Sequence, residues 1–177
     1  MSNLRLINET EVASGVSSVN IDNVFSADFD IYKIVGNVVN NSSTSVDVHL
    51  RLINSSGSVI TTSTIDYALL RLYTDGSEGN FRATNIDKFN SSIGVVQAYP
   101  RGAGFVAYLF NPFSNSSYTF MLVQSMQAWS NDTQIGTEKG IYVQKELISA
   151  TGFNAYPNST AFGTGTVFQT YGLRVDS

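Results

Sequence analysis

Apolar and polar positions alternate with a period of two along most of this chain. Val46, Val48, Leu50 and Leu52 fall on one side of an extended stretch, with Asp47, His49 and Arg51 on the other. That is the pattern of a strand with one buried face and one wet face. The segment RLINSSGSVITT, residues 51 to 62, continues it through Asn54-Ser55-Ser56-Gly57 into Val59 to Thr62, which reads as a hairpin with a polar turn. Phe29, Ile31, Lys33 and Val35 alternate with Asp30, Tyr32, Ile34 and Gly36. This longer strand is apolar on much of both faces and suits the middle of a sheet. GFVAYLFN, 104 to 111, is a near-continuous apolar run closed by Pro112, as a buried strand would be. Tyr118 to Trp129, Gly140 to Ser149 and Thr166 to Val175 add three more strands, and Leu4 to Val12 and Val16 to Ile21 two at the N-terminal side. IDYALLRLY, 65 to 73, fits a helical stripe through Ile65, Leu69, Leu72 and Tyr73 and equally an alternation of Tyr67, Leu69, Arg71 and Tyr73. Its neighbours favour a strand.

About nine or ten strands separated by polar turns, with no alternating helices, exclude a parallel α/β sheet. They predict an all-β, antiparallel two-sheet sandwich of jelly-roll-like build. Neither a linker nor a fixed-period repeat divides the chain, so residues 1 to 177 read as one domain.

Composition narrows the function classes. The chain has no cysteine, which removes disulfides, thiol catalysis and thiolate metal sites. Its net charge is −4 without any run of Lys or Arg, so the basic stripe of a nucleic-acid binder is missing and an anionic membrane surface is disfavoured. No apolar stretch approaches the ~20 residues that span a bilayer. MSNLRLINETEV carries no apolar core, so a signal peptide is not expected there. Asn-Ser-Ser nevertheless recurs at Asn41, Asn54, Asn90 and Asn115, and Asn8, Asn40, Asn131 and Asn158 also head N-x-[ST] tripeptides. With no export signal and no disulfides, these read as turn chemistry and not as glycosylation sites.

Candidate chemistry is sparse. His49 is the only histidine; no Gly-x-Ser-x-Gly elbow accompanies it, so a solvated strand face is expected there, not a triad. Asp75 to Asn80 gathers Asp, Ser, Glu and Asn between glycines, yet lacks the spacing of a calcium loop and reads as a hydrated acidic turn. Asp66 and Glu146 form the carboxylate pair to check for glycoside hydrolysis, a matter of spatial separation. No catalytic, cofactor-binding or metal-binding residue is assigned, and an enzyme is not expected. Tyr99, Trp129, Phe153 and Tyr156 fall at expected strand ends or loops, where an aromatic ring can stack on a sugar or bury into a partner.

Four stretches carry a resemblance. EVASGVSSVNIDNVFSADFDIYKIV (11 to 35), YLFNPFSNSSYT (108 to 119), EKGIYVQK (138 to 145) and TYGLRV (170 to 175) together resemble small virion-associated proteins of marine tailed bacteriophages. SEGNFRATNIDK, 77 to 88, matches no signature of that group and is where a lineage-specific loop is expected. The resemblance implies a β-sandwich on a phage particle, assembled in the bacterial cytoplasm, where sequons meet no oligosaccharyl transfer machinery. It carries over no catalytic motif. The expected function is a structural virion protein, foremost a capsid decoration (cement) protein binding the major capsid protein or other virion proteins as a homo-oligomer, with a trimer favoured. The alternative is a tail-fibre or receptor-binding module for host attachment that recognises host-surface carbohydrate.

Overall fold

A computed structural model describes residues 4–12, 15–39, 46–90, 95–96, 102–128, 135–159 and 161–174. Their strands are β1 (Leu4–Glu11), β2 (Val19–Ile21), β3 (Ile31–Val39), β4 (Val46–Asn54), β5 (Ile65–Tyr73) and β6 (Glu78–Ile86). There follow β7 (Val95–Val96), β8 (Gly102–Phe110), β9 (Thr119–Ala128), β10 (Ile135–Gln144), β11 (Ala150–Pro157) and β12 (Val167–Leu173). No helix occurs among the described residues, and IDYALLRLY is strand β5.

The strands form two antiparallel sheets. One has eight strands in the order β1-β12-β3-β8-β9-β10-β5-β6, and the other has the order β2-β11-β4-β7, its last member only two residues long. This is the expected all-β sandwich, with twelve strands among the described residues in place of nine or ten. β3 lies inside the large sheet between β12 and β8, as its two apolar faces require.

The core lies between the sheets. Tyr32, Ile34 and Val38 of β3, Phe105, Ala107 and Leu109 of β8, and Met121 and Val123 of β9 face Val48, Leu50 and Leu52 of β4 and Phe153 and Ala155 of β11. Tyr32 meets Phe25 edge to face at 4.8 Å between ring centroids, and its buried hydroxyl donates to the Ser26 carbonyl at 2.8 Å. A buried phenol needs such a partner. Towards one end the interior turns polar. Glu138 of β10, fully buried, is ion-paired with Arg71 of β5, whose guanidinium also lies 4.5 Å from the Phe81 ring centroid.

Several local expectations change. Val59 to Thr62 is not a return strand: only an isolated Ile53–Val59 bridge and the Ile60 N–H bond to the Leu52 carbonyl tie it to β4. Residues 77 to 88, expected as a loop, contain β6, an edge strand paired to β5. Phe153, expected at a strand end or loop, lies within β11 and is fully buried. Gly, Asn and Pro make ATGFNAYP look irregular, but the segment is held between β2 and β4. At Gly152 a Cβ would come within 2.2 Å of the Ile21 carbonyl oxygen, so the close approach of β2 depends on that glycine.

Candidate functional site

The outer face of the large sheet is apolar where β9, β10 and β5 lie side by side. Alternation sends Met121, Val123, Tyr142 and Leu69 inward. Phe120, Leu122 and Met126 of β9, Ile135 and Ile141 of β10, and Leu70 and Leu72 of β5 are left in solvent. Met126 is 66% exposed, Leu70 60% and Ile141 59%. Register aligns them in rows across the strands. Leu122, Ile141 and Ala68 form one row, flanked by Phe120–Val143–Asp66 on one side and Gln124–Lys139–Leu70 on the other. The outer face of an antiparallel sheet is ordinarily polar, and a contiguous apolar patch of several hundred Å2 marks an interaction site.

Charge is confined to a few places on this face. Lys139 stands exposed in the flanking Gln124–Lys139–Leu70 row. Asp66 is paired with Lys145 at 2.9 Å and accepts the Asn85 backbone N–H at 2.9 Å. That backbone bond, followed by Lys145, holds the carboxyl below its ordinary range. Beside it a groove of about 560 Å3 runs along the strands, lined by Asp66, Ala68, Arg82, Phe120, Ile141 and Val143 among others.

A second cluster forms where β4 meets β11. Register sets His49 opposite Tyr156, with ring centroids 5.3 Å apart. The Arg51 guanidinium lies 5.0 Å from the Tyr156 ring centroid, forms an ion pair with Asp87 and donates from Nε to the Asp87 carbonyl at 3.1 Å. Lys88 Nζ is 3.7 Å from the same carboxylate. Burial lowers the His49 pKa to about 4, aided by Lys88 and Arg51, so the imidazole is neutral near pH 7. Burial raises the Tyr156 phenol. For Asp87, burial acts upward but is outweighed by the Arg51 hydrogen bond and charge, and the carboxyl is lowered. The cluster is a polar and aromatic face in which the buried Tyr156 hydroxyl has no hydrogen-bond partner among the described residues.

Of the aromatics expected to touch a ligand, Tyr156 belongs to this cluster and Phe153 is core. Tyr99 and Trp129 lie outside the described residues. His49, expected on a solvated face, is 5% exposed, because Tyr156 covers it. Asp66 and Glu146 do not line one pocket: Asp66 is engaged as above, while Glu146 accepts from the Thr62 hydroxyl. The acidic turn at 75 to 80 splits between a bend and β6. Asp75 Oδ1 accepts the Ser77 N–H at 2.8 Å and its hydroxyl at 2.6 Å, which is turn closure. No group of three or more His, Asp or Glu side chains placed to hold a metal ion occurs among the described residues.

The apolar face was the feature that residue-by-residue reading passed over. Its signal is present: β5 and β9 carry large apolar residues at both parities. A two-layer sandwich can bury only one of those sets.

An antiparallel β-sandwich with one apolar outer sheet face is therefore the class of protein that fold and surface define. No protein-family model and no curated protein sequence matches the chain. Among solved structures it is similar to a galectin of Caenorhabditis elegans, LEC-6, at 9% identity and TM-score 0.32, covering 98% of this chain and 96% of that one. It is also similar to the enzymatically active domain of tailspike protein 2 of bacteriophage CBA120, at 9% identity and TM-score 0.36, with 98% and 29% covered. A third is the CBM2 module of the evolved Dit of Lactobacillus casei BL23 phage J-1, at 10% identity and TM-score 0.26, with 90% and 70% covered.

Proposed function

We propose that this chain is a structural protein of a bacteriophage particle, a capsid decoration protein that binds the outer capsid surface as an oligomer and is not an enzyme. The observation that carries the reading is the apolar face of β9, β10 and β5. Seven large apolar side chains in solvent suit a protein partner far better than a small polar ligand. The spread of the phage-like stretches from residue 11 to residue 175 supports a virion as the place of that partnership. Many copies, each making a modest contact, reinforce a lattice through multivalency.

A carbohydrate-binding fibre module is the second reading, and of the aromatics expected to serve it Tyr156 is the one described outside the core. Its ring is already stacked by Arg51 and faced by His49, which leaves less of it for a sugar. Immunogold electron microscopy of intact particles tests the choice. Label distributed over the head supports decoration. Label restricted to tail tip or fibres moves the function to host attachment, and unlabelled particles remove the virion reading.

A further inference from the structure

We propose that the apolar face is covered by a different protein of the particle, one that sets carboxylate side chains among apolar ones. The inference rests on the reading of the chain as a virion protein and names the chemistry of its partner at that face.

Unpaired positive charge leads to it. Register carries the Leu122–Ile141–Ala68 row on to Tyr108 and Lys33 at one end and to Arg82 at the other. Lys139 stands in the next row, between Gln124 and Leu70. Strand spacing puts Lys33 and Arg82 about 24 Å apart, with Lys139 between them. Arg51, Arg71, Lys88 and Lys145 have carboxylate partners, whereas Lys33, Arg82 and Lys139 form no ion pair among the described residues. Lys33 Nζ rests 5.9 Å from the Tyr171 ring centroid. A groove of about 300 Å3 opens between Lys33 and Lys139, lined also by Tyr108, Leu122 and Gln124. Arg82 borders the larger groove at Ala68. Each groove thus joins a cation to apolar side chains.

The face does not supply the missing anions. Asp66 is held by Lys145, Glu9 accepts from Gln169, and Glu11 and Glu78 lie on the outermost strands. A second copy laid on the face would bring cations to its centre, and a purely apolar partner would strand all three charges. A bilayer keeps its anionic headgroups and its acyl chains at different depths, but here Lys139 shares one level with Leu70 and Ile141. A polysaccharide would set hydroxyl groups against Leu70, Ile141 and Met126. A protein surface meets both demands, with apolar side chains for the face and acidic ones for the three cations.

Zero-length carbodiimide cross-linking of purified particles tests this, because the reagent joins an amine to a carboxylate only where the two touch. Peptide mass spectrometry is expected to find Lys33 and Lys139 joined to Asp or Glu side chains of a second kind of chain. In phage carrying Lys139→Glu or Arg82→Glu, both at exposed positions, the amount of this chain per particle is expected to fall about tenfold or more. Lys139→Arg is expected to keep it. Arg5→Glu, at the opposite parity of β1 from Leu4 and Leu6, is the charge control and is expected to change nothing. An unaltered circular dichroism spectrum of each purified variant separates loss of contact from loss of fold. Links from these lysines to another copy of this chain, particle-borne chains without such links, or an equal loss with Arg5→Glu overturn the proposal and leave the virion reading in place. Sedimentation of the natural chain with phosphatidylglycerol vesicles would assign the face to lipid and overturn it as well. A chain absent from purified particles removes the virion reading and the inference together.

Discussion

His49 carries the one imidazole of the chain, and its position converts acid into a stability cost. Its pKa is about 4 in the fold against an ordinary 6.5, chiefly through burial. Between those values the unfolded chain binds a proton that the folded chain refuses, so stability falls as pH drops through that window. A gap of this size corresponds to about 2–4 kcal/mol at its acid end. Asp47 acts in the opposite sense. Burial raises it above 3.8, so folding takes up a proton there and gains stability as pH falls. The two separate by substitution: His49→Gln removes the imidazole's contribution and leaves that of Asp47 in place. Thermal melts from pH 7 to pH 5 are expected to show a falling midpoint in the natural chain and a much flatter profile in His49→Gln. Parallel profiles would show that the imidazole is not buried in solution.

Turns set the elements, and the Asn-Ser-Ser sequence finds its structural meaning at that scale. The Asn54 side-chain oxygen accepts from the Ser56 N–H at 3.0 Å, the Ser56 hydroxyl at 2.7 Å and the Ser58 N–H at 2.9 Å. Gly57 completes the bend at φ 79°, a left-handed conformation that glycine adopts without steric penalty. Asn158 similarly clasps Asp47, accepting from its N–H at 3.0 Å and donating to its carboxylate at 2.9 Å. Asn54→Ala removes an acceptor from three donors and is expected to cost about 1–2 kcal/mol, read as a lower urea midpoint at constant slope. A midpoint unchanged within error would mean that the backbone alone closes this turn. The strands whose alternation is uninterrupted, β3, β4, β8 and β9, were legible in the sequence. β6 and β11 were not. In β6, Asn80, Arg82 and Thr84 mask an edge strand that owes its conformation to pairing with β5. In β11, Gly152 and Pro157 mimic a loop, although β2 and β4 hold the segment on both sides. Local pattern reports propensity, while these two strands are set by partners distant in sequence.

For the whole molecule, alternation and the lack of helical periodicity were enough to give two antiparallel layers. They do not give strand order, because the pairings β1 with β12 and β3 with β8 join residues far apart along the chain. The apolar face was legible only in part for the same reason. Apolar residues at both parities mark β5 and β9, but only the sheet order shows that β10 lies between them and merges their outer residues with Ile141. The cluster at Tyr156 was half legible: sequence singled out the ring, while Arg51 and His49 reach it through the register of β4 against β11. The pairing of β1 with β12 has one more consequence. Leu4 is the register partner of Leu173, so the first and last strands run side by side at one edge of the large sheet. A few added residues could join them, and the chain could be reopened in the bend between β5 and β6, where Gly76 sits in solvent with nothing within 4 Å of a would-be Cβ. Such a circular permutant would retain every strand pairing while losing one turn. It is expected to melt as a single cooperative unit within a few degrees of the natural chain, and a loss of cooperativity would show that the order in which the strands are synthesised matters to the fold.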